Sequence, residues 1–235
     1  VKLNQLVLAS FGILFTPLAA RLFARDDRDG IRRMYWQTAA WVAVLSFPAF
    51  ALSFALAEPL TVLLFGDQYS AAAPIMAVLA AGYFFNAAFG FNGLTLNVFG
   101  LVRSVVVINL CAIVLNIALN LTLIPTHGPL GAAVGTAVTL VVQNGLRQLM
   151  LARQTGVPAF EPTLAPTYLT ILGCAGSLLV LQLLVSPGLW GGVALCAAAT
   201  MVVVAVARHQ LDLAATFPEI ARLPIVGRLL AGAPR

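Results

Sequence analysis

The chain has 235 residues, of which 61% are hydrophobic and only 9% are charged, and its mean hydropathy is +0.98. Soluble domains are about one quarter charged, so this composition excludes a soluble globular protein and predicts an integral membrane protein. The basic residues cluster at alternate span ends, so the net charge of +5 is interpreted as a signal of membrane topology. Nucleic-acid binding is not expected.

Several apolar stretches are long enough to cross the ~30 Å hydrocarbon layer as helices, which takes about 20 residues. None shows the alternation of barrel strands, so each must satisfy its backbone hydrogen bonds internally as a helix. The predicted fold is all-α, a polytopic membrane bundle of about seven transmembrane helices. In chain order the stretches are Leu3–Phe23, Met34–Ala57, Ala71–Phe99, Val102–Ile124, Leu130–Leu151, Pro166–Val185 and Leu189–Ala207.

A tight turn, "PTHGP", separates the fourth and fifth stretches at Pro125 to Pro129. Prolines at this place cost no helical hydrogen bond, so the turn is predicted to be a hairpin tip at the membrane surface. Gly131 and Gly135 follow it, four residues apart, and Thr139 continues the same helix face. Small residues at this spacing predict close packing against another helix.

Orientation follows from the basic residues, because all but one of the 13 fall in alternate connections and in the C-terminal tail. Under the positive-inside rule this side is cytoplasmic, so the C-terminus is cytoplasmic and the first span begins outside. A chain that begins outside with Val1 and carries no signal peptide is expected to be the back part of a longer protein. The residues concerned are Arg21, Arg25, Arg28, Arg32, Arg33, Arg103, Arg147, Arg153, Arg208, Arg222, Arg228 and Arg235.

Residues for enzymatic or metal chemistry are not grouped in the sequence. The eight carboxylates all lie in loops, at span ends or in the tail, and there is no nucleophile elbow, P-loop or zinc-ligand spacing. The three cysteines sit inside apolar spans, where small buried side chains are expected, and the two histidines lie on opposite sides of the membrane. No enzyme, metal or cofactor is predicted.

Amide side chains recur inside the spans. Asn109, Asn116 and Asn120 lie along one stripe of the fourth span, about 16 Å long, which must face protein or water rather than lipid. Such a stripe either joins helices by hydrogen bonds or forms the wall of a hydrophilic cavity that offers donors and acceptors to a polar substrate. Two further amides on the third span, Asn86 and Asn97, are eleven residues apart and therefore lie on one face. Two more, Gln143 and Asn144, lie on the fifth span.

Two arginines lie close to the inner ends of spans, Arg103 on the fourth and Arg147 on the fifth. Such arginines commonly reach phospholipid headgroups from the end of a helix. The alternative is that one of them helps to hold an anionic group of a substrate, since a guanidinium offers two parallel hydrogen bonds and a permanent charge.

Three features recur in the order and spacing of a known family: Pro59 followed by "LLFG" and Tyr69, the Gly100–Arg103 turn before an Asn-bearing span, and Ile124-Pro125 leading through Gly128 to "GAAVGTA". Over roughly residues 8 to 153 the chain resembles the C-terminal half of bacterial oligosaccharide flippases of O-antigen and other polysaccharide biosynthesis. They belong to the multidrug/oligosaccharidyl-lipid/polysaccharide exporter superfamily.

The resemblance implies two six-helix lobes around a cavity that opens alternately inward and outward. Residues 1–153 would then be the C-terminal lobe with five spans, 154–208 two additional transmembrane helices, and 209–235 a cytoplasmic amphipathic tail. It further implies flipping of a polyprenyl-diphosphate-linked oligosaccharide across the bacterial cytoplasmic membrane. The amides would then face sugar hydroxyls, and Arg103 or Arg147 would help to hold the diphosphate. The expected partners are that substrate, membrane lipids and an N-terminal lobe, with a polysaccharide polymerase as a further candidate.

Three alternatives stay open from the sequence: a drug or cation antiporter, a peptidoglycan-precursor flippase of the same superfamily, and a truncated membrane protein that does not transport. An antiporter usually needs a carboxylate within the membrane to couple proton or sodium binding, and none of the spans contains one. An absent lobe would be able to supply it.

Overall fold

The computed structural model describes residues 2–185, 188–208 and 211, and the side chains of residues 2–10 and of Leu14 lie outside that description. The described part is 91% helical and contains no strand, which confirms the predicted all-helical membrane bundle. Five of its helical stretches are long and apolar enough to cross a membrane, and Val102–Thr155 among them consists of two arms. The other four are Arg28–Ala55, Asp67–Val98, Pro162–Val185 and Leu189–Ala207.

Short turns connect most of the helices. Between the first two, the chain turns at Asp26 (φ 53°), and Asp27 caps the second helix by accepting a hydrogen bond from the Gly30 backbone N–H at 2.8 Å. Turns of 3-10 helix cover Asp67–Ala72 and Pro162–Leu164. The helices are α1 (Lys2–Ala24), α2 (Arg28–Ala55), α3 (Ala57–Phe65), α4 (Ala73–Phe89), α5 (Phe91–Val98), α6 (Val102–Thr155), α7 (Ala165–Val185) and α8 (Leu189–Ala207).

Helix α2 is the centre of the bundle, with α1 and α4 packed against it, together with the α7–α8 pair. Its large side chains Tyr35, Trp36 and Phe47 are almost completely buried. Small residues beside them let neighbouring helices approach, as Ala39 and Ala43 do from fully buried positions. At the other end of the bundle, a Cβ atom on Gly192 of α8 would overlap the side chain of Leu56, so α8 also packs closely on this part of the chain.

Helix α6 is a hairpin whose chain reverses at Gly128, inside the turn that the sequence predicts. The backbone of Gly128 (φ 56°, ψ −137°) is outside the range that L residues with side chains adopt at low cost. Arms 102–127 and 129–155 run antiparallel, because Asn116 contacts Thr139 and Asn109 contacts Gln143. The hairpin packs mainly against α4 and α5.

Two predicted spans differ from the structure in their boundaries. Helix α2 begins at Arg28 instead of Met34, because the Asp27 cap starts it before the apolar stretch. The third predicted span, Ala71–Phe99, is divided into part of a 3-10 turn, α4 and α5, with a break at Gly90.

The break at Gly90 changes one prediction about the amides. Asn86 lies on α4 and Asn97 on α5, so their spacing of eleven residues does not place them on one face of a continuous helix. The period of an α-helix holds only while the helix is uninterrupted.

The predicted division into a lobe, 1–153, a helix pair, 154–208, and a tail, 209–235, stays a prediction. Helices α7 and α8 pack against each other within the second of these ranges. The predicted amphipathic tail lies outside the described residues except for Leu211, which is buried.

Candidate functional site

Polar side chains form a seam between the two arms of α6 and the adjoining faces of α4 and α5. Each of these side chains makes a hydrogen bond to another residue of the set. The bonds form three groups, and along α6 each group lies within about one helical turn of the next. We call this set the amide seam, and it consists of Asn86, Asn92, Asn109, Asn116, Asn120, Thr139, Gln143, Asn144 and Arg147.

The part of the seam nearer the hairpin tip joins the two arms of α6. Asn120 donates from Nδ2 to Asn116 Oδ1 at 2.9 Å, and Asn116 donates to Thr139 Oγ1 at 3.2 Å. A Cβ atom on Gly135 would lie 3.0 Å from Asn120 Oδ1, and one on Gly131 would overlap the Leu123 carbonyl. The arms can make these hydrogen bonds because glycines face the first arm at both positions.

The opposite part of the seam contains a guanidinium. Asn109 Oδ1 accepts hydrogen bonds from Gln143 Nε2 at 3.0 Å and from Arg147 Nη2 at 2.6 Å. Arg147 also lies against Gly93 of α5, whose Cβ atom, if present, would be 3.4 Å from Nη1. One amide oxygen therefore holds a guanidinium and a second amide across the hairpin.

A third group of amides fastens the hairpin to α4 and α5. Asn144 donates to Asn86 Oδ1 at 3.0 Å, and Asn92 donates to the Asn144 carbonyl oxygen at 3.1 Å. Asn92 is 0% exposed and Asn144 is 1% exposed. Buried amides without partners would cost about 1–3 kcal/mol each, so these contacts help to fix the position of the hairpin on the bundle.

Some hydrogen-bonding capacity in the seam is unused within the described residues. Asn92 Oδ1, Asn120 Oδ1 and Arg147 Nε are buried and have no hydrogen-bond partner there. Among the described residues no carboxylate forms an ion pair with Arg147, which donates a hydrogen bond to the amide oxygen of Asn109. The seam therefore carries a positive charge within an apolar helix.

The structure brings most of the predicted site residues together, but leaves two of them outside the seam. Asn97 and Arg103 are exposed, and neither makes a side-chain hydrogen bond with another described residue. Asn92 was not predicted from the sequence, although an asparagine next to a glycine in an apolar span is a usable signal. Its partner lies 52 residues further along the chain, and no local pattern shows this.

The seam makes hydrogen bonds between helices, and the same groups could contact a ligand. It offers amide donors and acceptors, a threonine hydroxyl and a guanidinium, which suit hydroxyl groups and anions. Among the described residues no three His, Cys, Asp or Glu side chains are grouped as metal ligands. The three cysteines are free thiols, Cys111 on α6, Cys174 on α7 and Cys196 on α8.

A family model, MatE, matches residues 3–122, which is more than half of the 235-residue chain. The matched range runs from α1 through α5 into the first arm of α6, and so includes Asn86, Asn92 and the stripe from Asn109 to Asn120. Arg147 lies beyond it. No curated protein and no solved structure is significantly similar to the chain.

Proposed function

Because the chain belongs to the MatE family, a family of membrane exporters, we propose that it takes part in flipping a polyprenyl-diphosphate-linked oligosaccharide across the bacterial cytoplasmic membrane. The proposal includes alternating access between two lobes, the second supplied by the same chain or by another. The resemblance of residues 8 to 153 to oligosaccharide flippases supports this substrate class, and the arginine distribution supports a cytoplasmic C-terminus.

The observation that carries the proposal is the composition of the amide seam. Its members are uncharged except for Arg147, and asparagine side chains can exchange their mutual hydrogen bonds for bonds to sugar hydroxyls at little net cost. Asn109, Asn116 and Asn120 are each partly exposed, so they are not sealed inside the hairpin. A wall of this kind suits a neutral, hydroxyl-rich cargo.

Arg147 suits the charged part of the same substrate. A guanidinium without a carboxylate partner is costly in an apolar helix, and a phosphate group would compensate its charge. Arg147 is held by Asn109, which also belongs to the wall, so the sugar and the diphosphate would lie against neighbouring residues. Arg103 is exposed at the start of the same hairpin and is proposed as a second contact for the diphosphate.

Export by cells that express the protein tests the proposal. We expect Asn109→Leu and Asn116→Leu to lower export of lipid-linked oligosaccharide at least about tenfold, since each removes a donor and acceptor from the pathway. Membrane abundance should stay close to that of the parent, and the loss of export should exceed what a lower melting temperature explains, because each variant leaves hydrogen-bond partners in the hairpin unpaired. Val114→Leu is the matched control, because Val114 is 67% exposed on the lipid side of the same helix.

Thiol accessibility separates a cavity wall from a buried contact between helices. In a background with all three native cysteines replaced, a cysteine at position 109, 116 or 120 should react with a water-soluble reagent, and one at 114 should not. Protection at all three positions, together with normal export by the leucine variants, would contradict the proposal. Export of organic cations in place of oligosaccharide would instead identify an antiporter.

A further inference from the structure

A polar pocket separate from the amide seam lies at the arginine-rich end of the bundle. It is a cavity of about 310 Å³ between the first three turns of α2 and the connection that leads into α7. Four charged side chains line it, Asp29, Arg32 and Arg33 from α2 and Glu161 from the connection. Two positive and two negative charges therefore surround one small cavity.

One opposite-charge pair in this pocket is complete. Arg32 donates from Nε and Nη2 to Glu161 Oε2, at 3.0 and 2.8 Å. The other carboxylate oxygen of Glu161 accepts a hydrogen bond from Thr163 Oγ1 at 3.4 Å. This pair joins the start of α2 to the connection before α7 and forms one wall of the pocket.

The other two charges are not paired. Asp29 and Arg33 are four residues apart on α2, the spacing and order at which an acidic and a basic residue usually attract each other on a helix. Both line the same cavity, yet among the described residues neither makes an ion pair or a side-chain hydrogen bond. The pocket thus presents one unpaired carboxylate and one unpaired guanidinium to whatever occupies it.

The position of the pocket indicates a lipid. It lies where α2 and α7, both long and apolar enough to cross a membrane, begin, so it is at the height of the lipid headgroups. Trp36 also lines the pocket, from an almost completely buried position. Phe160 in the connection and Leu169 on α7 expose apolar side chains beside which acyl chains can lie.

We infer that this pocket binds the headgroup of a zwitterionic phospholipid with a primary ammonium, of the phosphatidylethanolamine class. The lipid phosphate accepts hydrogen bonds from Arg33, and the ammonium donates to Asp29. This ligand gives each of the two exposed charges an opposite partner, and because the headgroup is itself neutral the net charge of the pocket stays at zero. An anionic headgroup would leave Asp29 without a partner, and a choline headgroup has no N–H to donate. The inference is independent of which substrate the amide seam carries.

Thermal stability of the purified chain in detergent tests the inference. Phosphatidylethanolamine, phosphatidylcholine and phosphatidylglycerol with identical acyl chains are added separately, and the melting temperature is measured for each. We expect phosphatidylethanolamine to raise it by about 3 °C more than either of the others. Native mass spectrometry should show one phosphatidylethanolamine retained per chain.

Two variants and two matched controls locate the effect. Asp29→Asn and Arg33→Gln should each lose the phosphatidylethanolamine-specific shift and retain the lipid at least about tenfold less well, since each removes a charged partner. Asp26→Asn and Arg28→Gln alter the exposed pair nearby, outside the pocket, and should keep the full shift. Each shift is measured against the lipid-free variant, so a change in baseline stability does not affect the comparison.

The remaining outcomes overturn the inference. Equal shifts with all three lipids would show that the headgroup is not recognised, and a larger shift with phosphatidylglycerol would show a site for anions only. Soluble glycerophosphoethanolamine is added to lipid-free protein as a further arm. If it produces the shift at micromolar concentration, the pocket takes a soluble ligand and its assignment to a membrane lipid is wrong.

Discussion

The crossing of α4 with the second arm of α6 allows one substitution to be worked out in detail. A Cβ atom on Gly82 would lie 2.8 Å from both the Cα and the Cβ of Ala137. Nonbonded carbon atoms rest about 3.5–4.0 Å apart, so Gly82→Ala must move the two helices apart by roughly 1 Å. No change of rotamer relieves this overlap, because one of the two atoms belongs to the backbone.

The cost of this overlap can be separated from the helix propensity of alanine by a control substitution on α6. Overfilling a packed site costs about 1–3 kcal/mol, whereas alanine in place of glycine favours a helix by about 1 kcal/mol. Gly145→Ala receives only the favourable contribution, because a Cβ atom there would meet nothing within 4 Å. We therefore expect Gly82→Ala to be about 1–3 kcal/mol less stable than Gly145→Ala.

Equilibrium unfolding of the purified chain in mixed detergent and SDS micelles, followed by tryptophan fluorescence, measures this difference. Adding Ala137→Gly to Gly82→Ala removes the methyl group of residue 137 but keeps its backbone in place, so the double variant should recover part of the loss. Equal stability of Gly82→Ala and Gly145→Ala would refute the close approach of α4 and α6.

Two further expectations concern the arginine-rich end of the bundle. Gln148→Leu removes the hydrogen-bond acceptor of the buried Tyr35 hydroxyl and should lower the free energy of unfolding by about 1–3 kcal/mol. Adding Tyr35→Phe should restore most of this loss in unfolding measurements, and no restoration would contradict the pairing. Glu161→Gln breaks the ion pair with Arg32, whose side chain is 43% exposed, so the loss of unfolding free energy should stay below about 1 kcal/mol. Melting curves at two salt concentrations should show that this loss is smaller at high salt.

The sequence by itself determined the class of the protein, the approximate position of its spans and the hairpin turn. These features are local, because hydropathy over about 20 residues identifies a span, and proline with glycine identifies a turn. The reversal at Gly128 lies within the predicted Pro125–Pro129 turn for that reason. The amides of the first arm of α6 were likewise predicted to avoid lipid, since a helical stripe follows from residue spacing alone.

Only the tertiary structure decided which residues meet across helices. Spacing gives the face on which Asn144 lies but not its neighbour, and its partner Asn92 is 52 residues away on a separate short helix. The break at Gly90, which separates Asn86 from Asn97, also has no clear local signal, because one glycine in an apolar run is compatible with a continuous helix.

In the charged pocket, too, the sequence does not show which residues meet. Asp29 and Arg33 have the spacing of a helical ion pair because α2 begins at Arg28, before the apolar stretch that the sequence shows. In the structure they stay unpaired beside a cavity whose opposite wall comes from Glu161, more than a hundred residues further along the chain. Packing of distant segments decides which charges meet, because the free energy of an interaction depends on its surroundings and not on its distance along the chain.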